Sequence, residues 1–456
     1  MYIHDTIAAI CTPLGEGGIG VIRISGERAR QIGEMIFSRK PYGGFQSRRF
    51  YYGEISDPDE GVALDEVLVV FMQAPRSYTC EDVLEIQCHG GYLMVQRILG
   101  LVLRQGARLA APGEFTRRAF LNGRIDLIQA EAVIDVIRGK TEAALALAQH
   151  QRAGLLSRQI EELREGVVHG LALVEAYIDF PEEEISSADY GEVTCLVEDA
   201  LGKLDCVLGG FAEGRALREG VSVVIAGKPN VGKSSLLNTL LKEKRAIVTA
   251  IPGTTRDVIE EIVNIRGLPV KVLDTAGICE TDDPIEREGV RIALEKLPRA
   301  DLVLFVLDAS RPLDSDDQFI WKELGNRNFM VVLNKSDLPE LIQLPASFAA
   351  HETIRISTHN GTGIEDLQQA IHAAFLHGQA VDSREYVALS NVRHRDALVK
   401  CRCALQRFAE NAAAGGSLEL LAIDLREALH ALGEVTGETT PDDVLDIIFQ
   451  RFCIGK

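Results

Sequence analysis

The feature that most limits what this chain can fold into is an eight-residue run, Gly227-Lys228-Pro229-Asn230-Val231-Gly232-Lys233-Ser234. It fits G-x-x-x-x-G-K-[ST] and joins the apolar run VSVVIAG to the helix-forming stretch SSLLNTLL. Such a loop turns a buried strand into a helix. Its glycines let backbone N–H groups and the helix N-terminus face phosphate oxygens. The run therefore predicts a strand–loop–helix unit that opens an α/β segment and binds a nucleotide. Lys233 would reach the β- and γ-phosphates and Ser234 would ligate Mg²⁺, with Asn230, Val231, Gly232 and Ser235 beside them.

Three further motifs follow in a workable order. Asp274-Thr275-Ala276-Gly277 ends the run VKVLDTAG, where the aspartate suits contact with the Mg²⁺ shell and the glycine N–H suits the γ-phosphate. Asn334-Lys335-Ser336-Asp337 follows FMVVLN. A carboxylate at Asp337 accepts two hydrogen bonds from guanine N1 and N2, a donor pair that adenine lacks. Between them lie Thr249-Ala250-Ile251-Pro252-Gly253-Thr254 and then Thr255-Arg256-Asp257, whose threonine could complete the Mg²⁺ shell. Together these form the signature of a GTPase. Ser357-Thr358 is a candidate base-capping loop, although Ser-Ala is the commoner form.

Hydrolysis needs an oriented water. Ile278 stands where Ras-like enzymes carry a glutamine, and an aliphatic chain cannot do that work. Glu280, Asp282, Asp283, Glu286 and Glu288 are the nearest downstream carboxylates, and spacing does not choose among them. Asn230 offers two readings. Its amide could hold a monovalent cation with carbonyls of the 249–254 loop, or it could simply shape the turn. Arg256 likewise suits either a cis arginine finger or a salt bridge.

The remaining chain sets the context. Among 456 residues, 48 Lys+Arg face 67 Asp+Glu, a net charge of −19. Residues 119–214 hold 7 basic and 18 acidic residues, so a general basic field for nucleic acid is absent there. The N-terminus lacks a basic leader, no apolar run reaches membrane-span length, and nine scattered cysteines suit reduced thiols. A cytoplasmic protein is expected. Residues 1–118 alternate β-like runs (Val21–Ile24, Val67–Phe71) with glycine-rich turns and read as an α+β domain. Residues 119–214 carry helical spacing, 215–380 alternate strands with helices, and 381–456 return to helical patterning. The economical organisation is a helical domain interrupted by an inserted α/β domain.

Beyond the nucleotide motifs, the chain carries Ser77-Tyr78-Thr79-Cys80-Glu81-Asp82, His89-Gly90-Gly91 and Pro112-Gly113-Glu114-Phe115-Thr116-Arg117-Arg118-Ala119-Phe120. It also carries Asp126-Leu127-Ile128-Gln129-Ala130-Glu131-Ala132 and ends in Cys453-Ile454-Gly455-Lys456. With these, the whole sequence resembles the MnmE (TrmE) family of tRNA-modification GTPases. The resemblance implies a multidomain α/β and α protein: an N-terminal α+β domain that dimerises and binds 5-formyltetrahydrofolate or a related tetrahydrofolate, a discontinuous helical domain, and an inserted Ras-like P-loop G domain.

The same resemblance implies residue roles. Glu286 matches the general base within Asp283-Pro284-Ile285-Glu286-Arg287. K⁺ ligands map to Asn230, Thr249, Ile251 and Thr254, and Mg²⁺ ligands to Ser234 and Thr255. Folate contacts map to Arg23, Glu81, Arg124 and Lys456; relatives often carry lysine at position 124. The implied partners are GTP, tRNA, a second copy in a homodimer and the flavoprotein MnmG (GidA), with no membrane. Together they would add a carboxymethylaminomethyl or aminomethyl group at C5 of the wobble uridine. A ribosome-assembly GTPase and a non-catalytic switch are the alternatives. Cys453 admits a nucleophilic role or none.

Overall fold

A computed structural model describes residues 5–38, 44–179, 187–243, 261–273, 300–325, 327–345, 348, 351–376 and 388–456. The chain forms two compact units, one through Ile134 and from His430 to Lys456, the other from Asp135 to Leu429.

The first unit is built on a mixed six-stranded sheet. Its strands are β1 (Ile7–Ile10), β2 (Gly17–Ser25), β3 (Phe50–Ser56), β4 (Ala63–Met72), β5 (Val83–Gly90) and β6 (Arg108–Leu109), in the order β3-β4-β5-β2-β1-β6. Pairing is antiparallel except for β1 with β6. Burial alternates along β2, with Ile22 and Ile24 fully buried and Arg23 between them partly exposed. Helices Ala29–Ile36 and Tyr92–Arg104 cover the apolar face, and Ile32, Ile36, Ile98 and Val102 enter its core. Farther on, helix Leu127–Arg138 packs Leu127, Ala130 and Ile134 against Leu445, Ile448 and Phe449 of helix Asp442–Gln450.

The second unit contains another six-stranded sheet with a different texture. It comprises β7 (Val221–Ala226), β8 (Glu261–Ile265), β9 (Leu268–Leu273), β10 (Leu302–Asp308), β11 (Phe329–Asn334) and β12 (Thr353–Arg355), ordered β12-β11-β10-β7-β9-β8. All neighbours are parallel except β8 with β9. Strands β10 and β11 are buried at every position, as a parallel sheet covered on both faces requires. Val223 and Ile225 enter the core on one face, Val224 and Ala226 that on the other. Strand β7 is flanked by β9 on one side and β10 on the other, so the order reverses there. The crevice beyond the carboxyl ends of such strands is where this architecture binds ligands.

Helices surround this sheet. Leu147 of helix Glu142–Arg152 and Leu217 of helix Phe211–Glu219 belong to the same core as β7 and β9. Gln151, buried, donates to Ala388 O (3.0 Å) and Ser390 Oγ (3.1 Å), tying chain before the sheet to chain after it. Helix Ser187–Gly209 packs against both Leu155–Asp179 and Val392–Ala413. Among the described residues no helix is long and apolar enough to cross a membrane. Phe305, fully buried on central β10, fills the core on the helix Ser315–Leu324 side. Phe305→Ala should lower the stability of this unit by about 3–5 kcal/mol, read by denaturant unfolding.

Candidate functional site

The glycine-rich loop runs from β7 into helix Lys233–Glu243, which seats Leu236 and Leu240 in the core one turn apart. Asn230 has φ 62°, a left-handed conformation that asparagine tolerates, so the turn gives this residue a backbone role of its own. Its side chain and those of Ser234 and Ser235 are exposed at the loop and helix start. Lys233 Nζ donates to Lys228 O (2.8 Å) inside the loop.

The loop is fastened from behind by Asn334. This side chain is 1% exposed; its Nδ2 donates to Val231 O (2.7 Å), and its Oδ1 accepts from Thr358 N (3.1 Å). Gly232 has φ 99°, and a Cβ there would lie 2.1 Å from Asn334 Nδ2, so only glycine lets the loop pass. Ser357 Oγ donates to Asp337 Oδ1 (2.6 Å), and that bond holds the Asp337 carboxyl below its ordinary value. Lys335, at φ 64°, donates to Asp308 Oδ2 (2.6 Å). The phosphate loop, Asn334–Asp337 and Ser357-Thr358 thus form one fastened rim at the carboxyl ends of β7, β11 and β12. Such a rim offers loop N–H groups and Lys233 to phosphates, and at its far side an ionised acceptor for a base edge.

Thr249, Ala250, Ile251, Pro252, Gly253, Thr254, Thr255, Arg256, Asp274, Thr275, Ala276, Gly277 and Glu286 lie outside the described residues.

A second constellation lies in the other unit. Arg23 sits directly opposite Glu85 in the β2–β5 register and donates to it (Nε to Oε1, 2.8 Å). Alternation turns Arg23 away from the core, and its guanidinium lies over the rings of Tyr78 (5.4 Å) and Phe115 (5.6 Å). Arg124 also lies over Tyr78 (4.9 Å) and donates to its carbonyl (2.6 Å). Ser25, two residues beyond Arg23 on the same face, donates to Glu81 Oε2 (2.7 Å).

Both Glu81 oxygens also accept from Arg118 (3.1 Å each), a guanidinium 3% exposed that reaches Asp5 and Glu114 as well. Burial alone would raise the Glu114 carboxyl; hydrogen bonds from Arg108, Ala111 N–H and Arg118 outweigh it and hold the group low. The chain end folds into the same place. Phe115 N donates to Lys456 O (3.2 Å) and the Cys11 thiol to Gly455 O (3.2 Å). Gly455 has φ 95°, and a Cβ would meet Ile10 O at 2.4 Å. Burial pushes the Cys11 thiol up, partly offset by Arg23.

The structure therefore brings Arg23, Glu81, Arg124 and the Lys456 main chain together round Tyr78 and Phe115. Tyr78, Phe115, Ser25 and Arg118 carried no assigned role in the sequence reading, although three of them lie within the quoted motifs. For those three the signal is position in the motif rather than chemistry; Ser25 has no such signal. Cys453 is exposed.

Comparison with known proteins bears on both constellations. The chain matches the family described as GTP-binding protein TrmE N-terminus over residues 6–124 and that described as MnmE helical domain over 127–453. Relatives named tRNA modification GTPase MnmE are similar along the full length of both chains. They are 64% identical in Geotalea uraniireducens, 62% in Geobacter metallireducens and 47% in Thermoanaerobacter sp. strain X514.

The Ser357 hydroxyl keeps the Asp337 carboxylate ionised on the acid side of the ordinary carboxylate range. Guanine-nucleotide binding should therefore persist as pH falls toward that range and fail once Asp337 protonates. Ser357→Ala should move the acid limb of a GDP-binding titration to higher pH; an unmoved limb would show that Asp337 does not meet the base.

Proposed function

The chain belongs to the MnmE family of tRNA modification GTPases, and on that premise we propose that it is a cytoplasmic, K⁺-activated GTP hydrolase. It acts with the flavoprotein MnmG (GidA) and installs a carboxymethylaminomethyl or aminomethyl group at C5 of the wobble uridine of certain tRNAs. Tetrahydrofolate supplies the bridging carbon. The observation that carries the nucleotide half is the rim fastened by Asn334, which joins the phosphate loop to the Asp337 and Thr358 loops.

In this reading the chain's residues divide the work. Backbone N–H groups of the loop and Lys233 bind the phosphates. Ser234 with Thr255 would hold Mg²⁺; Asn230 with carbonyls of Thr249, Ile251 and Thr254 would hold K⁺. Exposed oxygens at Ser234 and Asn230, on the loop and at the helix start, suit hard cations. The cations supply positive charge where it develops on the transferring phosphoryl group. Glu286 orients the attacking water in place of the missing glutamine, and Asp337 selects guanine over adenine.

The folate half rests on the Tyr78 cluster. A reduced pteridine presents an amino-pyrimidine edge that a carboxylate complements, and a tail carboxylate that cations complement. Glu81 is held in orientation by Ser25 and Arg118, which suits the first task. Arg124, exposed above Tyr78, and Lys456 suit the second. Homodimerisation is supported by the outer face of the first sheet. There Phe50, Tyr52 and Leu68 stand 55%, 56% and 40% exposed on adjoining strands, with Tyr52 directly opposite Leu68.

Steady-state GTP turnover in KCl against NaCl at equal ionic strength tests the nucleotide reading. Turnover should rise by about tenfold or more in KCl, and Asn230→Ala should remove the difference. Equal rates in the two salts would leave a switch without potassium chemistry. Glu286→Gln should cut turnover by about a hundredfold while nucleotide affinity holds. In the other unit, Arg124→Ala should weaken 5-formyltetrahydrofolate by about tenfold in a calorimetric titration and leave GDP affinity untouched.

A further inference from the structure

The phosphate loop carries two lysines with different surroundings. Lys228 Nζ donates to Asp314 Oδ2 (2.6 Å) and to Asp317 Oδ2 (2.8 Å). Asp314 is the N-cap of helix Ser315–Leu324 and Asp317 its third residue; each accepts from the other's backbone N–H in a reciprocal capping box. Asp317 is 3% exposed, and among the described residues its Oδ1 has no hydrogen-bond partner and Lys228 is the cation paired with its carboxylate. At its other end, the Lys228 carbonyl accepts from Lys233 Nζ (2.8 Å). One residue therefore links the fixed start of a helix to the lysine that meets the phosphates.

We propose that Lys228 is a positioning residue for GTP: clamped by Asp314 and Asp317, it fixes the phosphate-loop backbone in a form ready for nucleotide. A loop held in its bound shape has less ordering cost to meet on binding, so the clamp acts on affinity. Substituting the Lys228 side chain leaves the loop's backbone groups and the Lys233 side chain chemically intact, so the rate per bound GTP is spared. An arginine carries the same charge on a planar fork that two carboxylates can share. The neighbouring Asp308–Lys335 pair is separate and fixes the base-side loop.

The test compares full-length wild type with Lys228→Ala, Lys228→Arg and Asp314→Asn. The readouts are KM and kcat for GTP, Kd for GDP, and the melting temperature of each variant. Lys228→Ala should raise KM and Kd by about tenfold with kcat within about threefold of wild type, and Lys228→Arg should recover most of the loss. Asp314→Asn keeps the N-cap acceptor and removes one charge from the clamp, so it should raise KM by about threefold. It also carries the test if Lys228→Ala does not accumulate as folded protein. Normal KM and Kd in Lys228→Ala or Asp314→Asn, even with a lower melting temperature, would overturn the proposal and leave a stabilising ion pair.

Discussion

The nucleotide rim depends on one buried amide. Asn334 spends its donor on Val231 O and its acceptor on Thr358 N, and so joins loops that follow three different strands. No side chain with a single function could do this. An aspartate would offer two acceptors and no donor, and an aliphatic residue would leave a buried carbonyl and N–H without partners, each costing about 1–3 kcal/mol. The same contact explains Gly232, since any Cβ would strike the amide nitrogen. What looks in sequence like two separate motifs is one interlock, and the backbone of each is shaped by the other.

The first unit solves a different problem with charge. Arg118 lies almost fully buried and would be costly alone; Asp5, Glu81 and Glu114 surround it, and Arg108 shares two of the three. Removing one carboxylate would therefore disturb the others. This is a reason for Glu81 to be rigid: it is a member of an ionic network before it is a partner for any ligand. Tyr78 plays the equivalent apolar part, since its ring carries two guanidiniums and its hydroxyl shares a hydrogen bond with Thr116 (2.9 Å). Rigidity of this kind lets a pocket discriminate between ligands without paying to order itself first.

Much of this was legible from residue order. The apolar runs of β10 and β11, and of β7 after Ser222, announce strands buried on both faces, and the alternation in β2 announces one covered face, which by itself turns Arg23 outward. The loop motifs announce the chemistry because their spacing is local. What was not legible depends on register and on long-range closure. Nothing in sequence sets Arg23 opposite Glu85, brings Gly455 against Ile10, or carries Asp314 and Asp317 to Lys228. Those pairs are separated by tens to hundreds of residues and meet only because the sheets close. The left-handed backbone at Asn230 is similarly silent in sequence, and it bears on whether that asparagine is present for its amide or for its φ.

The two readings of Asn230 are compatible, because one residue type can meet both demands. A left-handed φ at this position costs little for asparagine or glycine and more for other residues, but glycine would bring no side-chain oxygen. A loop that needs the turn and also needs a neutral oxygen donor near the phosphates is left with asparagine, or with aspartate at the expense of another negative charge beside GTP. The same reasoning separates the two lysines of the loop. Both are cations of the same loop, yet Lys228 is held by two carboxylates that offset its charge locally. Lys233 Nζ, in contrast, donates to the Lys228 carbonyl, so the two side chains of the loop are held by different groups.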